Sequence, residues 1–256
     1  MEKLYHIGLD DTHGARYAIL PGDPGRVPKI AALLDNPRFY AQNREYTTWL
    51  GTLSGVPALV MSTGMGGPSA AIAVEELYRT GVRSFIRVGT CGGMAARVLG
   101  GDAVIANAAI RMEGTTKEYV PVEFPAVADL EVTNALVQSA EALGARYHVG
   151  IVHCKDSFYG QHSPERMPIG YELKEKWDAW LKAGCLASEM ESAALFIVAH
   201  ILGARAGCVL HTVWNQERER QGLSSPRDYG EASAAKIAAD AVRLLIAREG
   251  GVCNDP

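Results

Sequence analysis

The chain has 256 residues, of which 48% are hydrophobic and 21% charged, and it carries a formal net charge of −4. With no block of Lys and Arg anywhere along it, this balance excludes the electrostatic footprint of a nucleic-acid binder and favours a small-molecule ligand. The length admits one large α/β domain or two small ones; no stretch approaches the ~18 continuous apolar residues of a membrane span, and Met1 to Leu9 do not have the pattern of a signal peptide.

In chain order, Tyr17–Leu20 reads as a short strand ended by Pro21-Gly22-Asp23-Pro24, with a helix pattern continuing to about Leu34. Strand-like stretches follow at Tyr46–Leu53 and Val56–Ser62, then a helix at Pro68–Tyr78, whose proline suits a first turn. Ser84–Val88 and Ala103–Arg111 read as strands, Leu130–Leu143 as a helix and Tyr147–Val152 as a strand. Between Tyr171 and Leu181, the residues Leu173, Trp177, Trp180 and Leu181 recur at helical spacing. Glu189–Leu202 is apolar nearly all round, which predicts a buried helix. A strand at Ala206–Val213 and a helix at Ser233–Ala247 follow, and Glu249–Pro256 reads as a frayed tail. The alternation predicts an α/β fold with a largely parallel sheet. No repeat or linker divides residues 1–256, so they read as one domain. Two long polar loops, Asp156–Gly170 and Asn215–Asp228, are expected to be functional.

The five cysteines, Cys91, Cys154, Cys185, Cys208 and Cys253, are scattered and form no C-x-x-C pair. They read as free thiols of a reducing cytoplasm, not as a disulfide framework or a zinc site. None of the histidines has metal-ligand spacing; His148 and His153 are expected to face opposite sides of a strand and to be structural. No G-x-S-x-G elbow or Cys/His nucleophile is present. The chemistry is therefore expected to rest on positioning and electrostatics.

Four segments carry candidate chemistry. In Pro21-Gly22-Asp23-Pro24-Gly25-Arg26, Asp23 suits an N-cap and Pro24 the first helical position. Arg26 has no such explanation, since a cation in a first turn opposes the macrodipole by about 0.3–1 kcal/mol; a bound anion would reverse that sign. Arg87 lies near the carboxyl end of a predicted central strand, before a glycine-rich stretch, where α/β sheets bind ligands. A buried guanidinium there needs either an internal carboxylate or an anionic ligand. Ser62 to Ser69 holds a third glycine cluster, which reads as a tight strand-to-helix turn or as an anion-binding nest. Ser188-Glu189-Met190-Glu191 reads either as a capping box or as paired carboxylates awaiting hydroxyl donors such as those of a sugar.

Taken together, these segments resemble the uridine phosphorylases of the nucleoside phosphorylase superfamily, over nearly the whole chain. The matching stretches are His6-Ile7-Gly8-Leu9, Pro21 to Arg26, Arg44 to Trp49, Ser62 to Ser69, Arg87 to Thr90, Glu123 to Ala126, Asp156 to Tyr159 with Gln161, and Ser188 to Ser192. The resemblance implies a three-layer α/β/α single domain with a mixed, largely parallel central sheet. It implies reversible phosphorolysis of uridine to uracil and α-ribose-1-phosphate, with inorganic phosphate as co-substrate and no organic cofactor. It also implies a homo-oligomer, a hexamer built as a trimer of dimers, whose sites are shared between subunits.

In that scheme phosphate is held by Gly22, Arg26, Arg87 and Thr90, with Arg44 donated by a neighbour. Ribose is held by Met190 and Glu191, and by His6 from the neighbour. The base is read by Gln161 and Arg166, with Gly92, Phe158 and Arg218 beside it. Arg87, Gln161, Arg166 and Glu191 carry the catalysis, and Glu45 with Ser69 resembles a monovalent-cation (potassium) site at a dimer interface. The chain departs from the pattern at three places. His162-Ser163-Pro164-Glu165 separates Gln161 from Arg166, which makes His162 a second candidate at the base. Asn215-Gln216 stands where Asn-Arg is familiar, with Arg218 two residues on, and Cys91 replaces a common threonine. The competing enzyme readings are a purine nucleoside phosphorylase, disfavoured by Trp214-Asn215 where Ser-Asp is usual, and a hydrolytic nucleosidase, disfavoured by Arg26, Arg44 and Arg87 together. A non-catalytic nucleoside-binding protein is a reading from a different class. Arg87→Ala is expected to abolish turnover and leave the fold intact.

Overall fold

Five consecutive buried residues make Tyr17–Pro21 a strand covered on both faces, β1. The turn after it leads into a short helix α1 (Val27–Ala31) and an antiparallel hairpin of β2 (Asp35–Asn43) and β3 (Tyr46–Leu53). Then come β4 (Val56–Met61), helix α2 (Gly67–Arg79), β5 (Ser84–Gly93), β6 (Ala103–Met112), the two-residue β7 (Ala126–Val127) and α3 (Leu130–Ala142). The second half holds β8 (Tyr147–Lys155), α4 (Phe158–His162), α5 (Gly170–Lys182), β9 (Ala187–Glu189), α6 (Ser192–Ile201), β10 (Arg205–Asn215), α7 (Gln216–Arg220) and α8 (Ala232–Val252). The structure, a computed structural model, describes residues 2–230 and 232–252.

The sheet is mixed. β1 lies parallel between β4 and β5, and β5 is also parallel to β10. From β10 the order runs to β6, β8 and β9, and β9 returns antiparallel to β5, which closes a ring of strands. The β4–β3–β2 hairpins extend from β1 as an open antiparallel wing. Alternation along the strands sends side chains to two layers. Ala18, Leu20 and Phe85 pack with Val74 and Leu77 of α2 and Phe196 and Val198 of α6. Ile19 and Ile86 pack with Ile30 of α1, Val132 and Leu136 of α3 and Ile237 and Val242 of α8. Each such fully buried aliphatic side chain contributes about 1.5–3 kcal/mol. The architecture is therefore three-layered, α/β/α.

The pairing of β5 positions the site. On one edge its residues Ser84 to Val88 pair with β1, whereas Gly92 and Gly93 pair with Ser188 and Ala187 of β9. Between them that edge of β5 changes neighbours, and the sheet splits. A crevice opens at the carboxyl ends of β1 and β5, the place where open α/β sheets bind ligands.

Several elements differ from the sequence expectation. β2 is unpredicted: it is an almost wholly exposed edge strand, interrupted by Asn36 at φ +50° and Pro37, and shows no apolar alternation. β5 continues through the glycine-rich stretch to Gly93, because glycines let β10 and β9 close on its end; a Cβ at Gly93 would lie 2.8 Å from the Asn215 side chain. The buried helix expected from Glu189 begins at Ser192, after β9. α8 includes Glu249, which is ion-paired to Arg205, and runs to Val252; the rest of the expected tail, with Cys253, lies outside the described residues. Cys91, Cys154, Cys185 and Cys208 are free and buried. No helix among the described residues is long and apolar enough to cross a membrane.

Candidate active site

Arg87 sits on β5 opposite Leu20 of β1 and Cys208 of β10, and is buried. Its Nε donates to Glu189 at 3.2 Å and its Nη2 to Glu191. Burial works against this charge, but Glu191 and then Glu189 hold the guanidinium pKa above its ordinary value. The internal ion-pair reading of Arg87 is thus realised, twice over. It does not exhaust the side chain, because Nη1 is buried and has no hydrogen-bond partner among the described residues. Leaving such a donor unmade costs about 1–3 kcal/mol, so the site as built calls for an acceptor there. Gly89 makes room for this arrangement: a Cβ on it would stand 2.6 Å from Arg87 Nη2 and 2.8 Å from Leu210.

The capping-box reading of Ser188 to Glu191 is corrected. Ser188 belongs to β9, the N-cap of α6 is Glu191, and the Glu189 carboxylate accepts from the Glu191 amide at 2.9 Å and from the amide and hydroxyl of Ser192. Burial pushes the Glu189 carboxyl up, but Arg87, the Ser192 hydroxyl and the Glu191 amide outweigh it and hold the pKa low. Glu191 instead reaches across the crevice and accepts from the Gly66 amide at 2.6 Å. The paired carboxylates therefore have donors inside the protein, and they tie β5, α6 and the turn after β4 into one unit.

The turns after β1 and β4 lie side by side. Gly64 N–H donates to the Gly22 carbonyl at 2.9 Å, and a Cβ at Gly22 would come within 3.1 Å of the Gly64 carbonyl. Asp23 caps a 3-10 turn with Pro24 at its start, as expected, and accepts from Gly25 N–H at 2.8 Å. Arg26 ends that turn instead of opening a long helix, with Nε 3.9 Å from Asp23. Along β5, half-exposed Thr90 and Gly92 alternate with buried Cys91 and Gly93, so both open to one face. Met190 is half-buried between the two glutamates.

A cleft of about 470 Å³ lies alongside, lined by His153, Lys155, Gln161, His162, Trp177 and Gln216 among others. Gln161 is delivered by α4, whose N-cap Ser157 accepts from Gly160 N–H at 2.9 Å. The Ser188 hydroxyl donates to Gln161 Oε1 at 2.8 Å, and Gln161 Nε2 donates to Gln216 Oε1 at 3.3 Å. Lys155 Nζ donates to Ser188 Oγ at 2.8 Å, and His153 Nδ1 lies 3.0 Å from the same oxygen. Burial lowers the Lys155 pKa against the pull of Glu189. Burial, with Lys155 beside it, pushes His153 down to about 4. His162 is lowered by the same two causes, and its ring packs on Phe158 at 4.3 Å between centroids.

Of the expected base contacts, Gln161 and His162 line the cleft. Arg166 is exposed, with its guanidinium 5.8 Å from the centre of the Tyr159 ring. Arg218 donates to the carbonyls of Ala96 and Ser224, both at 2.6 Å, and Asn215 caps α7, so both serve the loop. The sequence reading does not place Lys155, His153 or Ser188 in the cleft. A lysine closing an apolar strand just before a polar loop is the signal that marks Lys155. His148 does differ from His153 in setting, pairing with Asp102 at 2.9 Å.

His6 and Arg44 stand apart from this group. Arg44, at the tip of the β2–β3 hairpin with φ +53°, packs on the Tyr5 ring, and Asn43 donates to the carbonyls of Tyr5 and His6. His6 Nδ1 meets Glu76 of α2 at 2.6 Å. Neither hydrogen-bonds to Arg87, Glu191 or Gln161. Nearby, Ser69 Oγ donates to Glu45 at 2.7 Å and contacts the Thr63 carbonyl, an all-oxygen grouping.

The profile of the Phosphorylase superfamily matches residues 16–247. A uridine phosphorylase of Treponema pallidum is 52% identical over 245 residues, covering 96% of this chain and 95% of that protein. One of Thermococcus kodakarensis is 48% identical, covering 94% and 86%. A guanosine phosphorylase of Halorubrum lacusprofundi is 43% identical over 209 residues, 82% of each chain. With a split sheet, a buried arginine holding a spare donor and a family match spanning most of its length, the chain belongs to the phosphorylase superfamily.

Proposed function

We propose that the protein catalyses the reversible phosphorolysis of uridine. The observation that carries the reading is the buried, unpartnered Arg87 Nη1 beside Glu191, next to a cleft furnished with an amide and an ammonium. Phosphate accepts from Arg87, from the Gly22 turn, from Arg26 and from Thr90. Met190 and Glu191 hold the ribose. As the C1′–N1 bond breaks, positive charge builds on the sugar, as in other glycosyl transfers. A phosphate oxygen then forms the new bond to C1′. The electron pair leaves on N1 and spreads to the uracil oxygens, where Gln161 and Lys155 supply preorganised donors; solvent returns the proton. Holding both reactants in line contributes several kcal/mol, up to about 7–11 in model systems.

His6 and Arg44 complete the site of a neighbouring copy, in a hexamer built as a trimer of dimers. The exposed position of Arg44 at a hairpin tip supports this. A potassium ion suits the oxygens of Glu45, Ser69 and Thr63. The buried free thiols suit a reducing cytoplasm.

The guanosine phosphorylase among the relatives favours a second reading, a purine substrate. Against it, Asn215 occupies the place of a purine enzyme's aspartate and is used up as a helix cap. Free base is measured from uridine, thymidine, inosine and guanosine, with and without phosphate. Uracil released only with phosphate is the expected result. Release without phosphate means a hydrolase, and release from inosine or guanosine alone means the purine reading.

A further inference from the structure

The base cleft contains a hydrogen-bond relay centred on Ser188. Ser188 lies opposite His153 in the β8–β9 ladder and opposite Gly92 in the β9–β5 ladder, at the seam that closes the ring of strands. Lys155 is two residues beyond His153 on the same face of β8. Ser188 Oγ has one proton and two lone pairs. The Lys155 ammonium only donates, at 2.8 Å, and takes one lone pair. The remaining contacts are His153 Nδ1 at 3.0 Å and Gln161 Oε1 at 2.8 Å. With the His153 proton on Nδ1, Lys155 and His153 take both lone pairs, so the Ser188 proton goes to Gln161 Oε1. Gln161 is then held with Oε1 toward Ser188 and Nε2 toward Gln216.

We propose that Ser188 is a positioning residue that sets the orientation of the Gln161 amide and thereby makes the site select a uracil-type base over cytosine. The inference rests on the phosphorolysis reading above. A uracil edge offers an N3–H donor flanked by carbonyl acceptors, whereas cytosine offers a bare N3 acceptor and an amino donor in place of O4. Gln161 in its fixed orientation keeps a free Oε1 lone pair for N3–H and a free Nε2 hydrogen for a carbonyl. Against cytosine, the same amide places acceptor against acceptor. A glutamine free to turn over would match N3 and the amino group of cytosine equally well. The lock, not the glutamine alone, supplies the discrimination.

The test compares the parent, Ser188→Ala and Ser188→Thr with uridine and cytidine under saturating phosphate, following uracil and cytosine release, with a melting curve for each protein. Ser188→Ala is expected to keep a cooperative melt, to raise KM for uridine about tenfold with a smaller change in kcat, and to raise the cytidine-to-uridine ratio of kcat/KM by about tenfold or more. Ser188→Thr, which restores the hydroxyl, is expected to return both toward the parent. Should Ser188→Ala not fold, Ser188→Cys, similar in size and a weak donor, makes the same comparison. A folded variant with the parent's cytidine-to-uridine ratio overturns the inference and leaves the phosphorolysis reading standing. A parent that releases no uracil from uridine overturns that reading, and the inference with it.

Discussion

Arg87 concentrates the chemistry and the stability of the site in one side chain. Two buried carboxylates, Glu189 and Glu191, depend on it for their counter-charge. Removing it strands both, and breaking one buried pair already costs about 3–5 kcal/mol. The expectation that Arg87→Ala would leave the fold intact is therefore revised. Arg87→Ala should melt well below the parent, or fail to accumulate as folded protein. Arg87→Lys keeps a charge but lacks the planar fork that serves both glutamates and the spare Nη1. It should stay folded and lose about a hundredfold or more in kcat/KM for phosphate. A thermally robust Arg87→Ala protein would show that the two glutamates find counter-charge elsewhere. The position of Arg87 at a strand end was legible in the sequence; its two partners, just over a hundred residues downstream, were not.

At the level of elements, β5 decides where the site can be. It carries Arg87 on the part paired with β1, and beyond it the half-exposed Thr90 and Gly92, where the strand passes to β9. Gly89 sits at the change of neighbour, and the guanidinium lies over it. That guanidinium is pinned by Glu189 and Glu191, so it yields poorly to an added methyl group. Gly89→Ala should cost about 1–3 kcal/mol in stability through overpacking. It should weaken phosphate use more than nucleoside use, read as a larger rise in KM for phosphate than for uridine. Equal rises would place the glycine outside the phosphate contact. The two polar loops flagged in the sequence prove to be more than connections: each contains a short helix, α4 and α7, and these face one another through Gln161 and Gln216. Short helices of this kind carry too little periodicity to be read from sequence.

On the scale of the whole molecule, His6 and Arg44 lie at an exposed hairpin tip, apart from Arg87, Glu191 and Gln161. If neighbouring copies exchange these residues, subunits with different lesions should rescue one another. Arg44→Ala and Gln161→Ala proteins, each nearly inactive alone, should regain activity when co-assembled, toward about a quarter of the parent's sites for random pairing in an isologous dimer. Mixed assemblies no more active than the two separate proteins would confine the site to one subunit. Local sequence determined the strands β1, β4, β5 and β10, the helices α2, α3, α5 and α8, and the presence of arginines and glycines at strand ends, because burial pattern and turn chemistry act over a few consecutive residues. Only the tertiary structure decided the closure of the sheet through the three-residue β9 and the exposed edge strand β2. It also decided the meeting of Ser188 with Lys155 and Gln161, which lie 33 and 27 residues away in sequence. These depend on which strands become neighbours, a property of the closed sheet that no run of adjacent residues encodes.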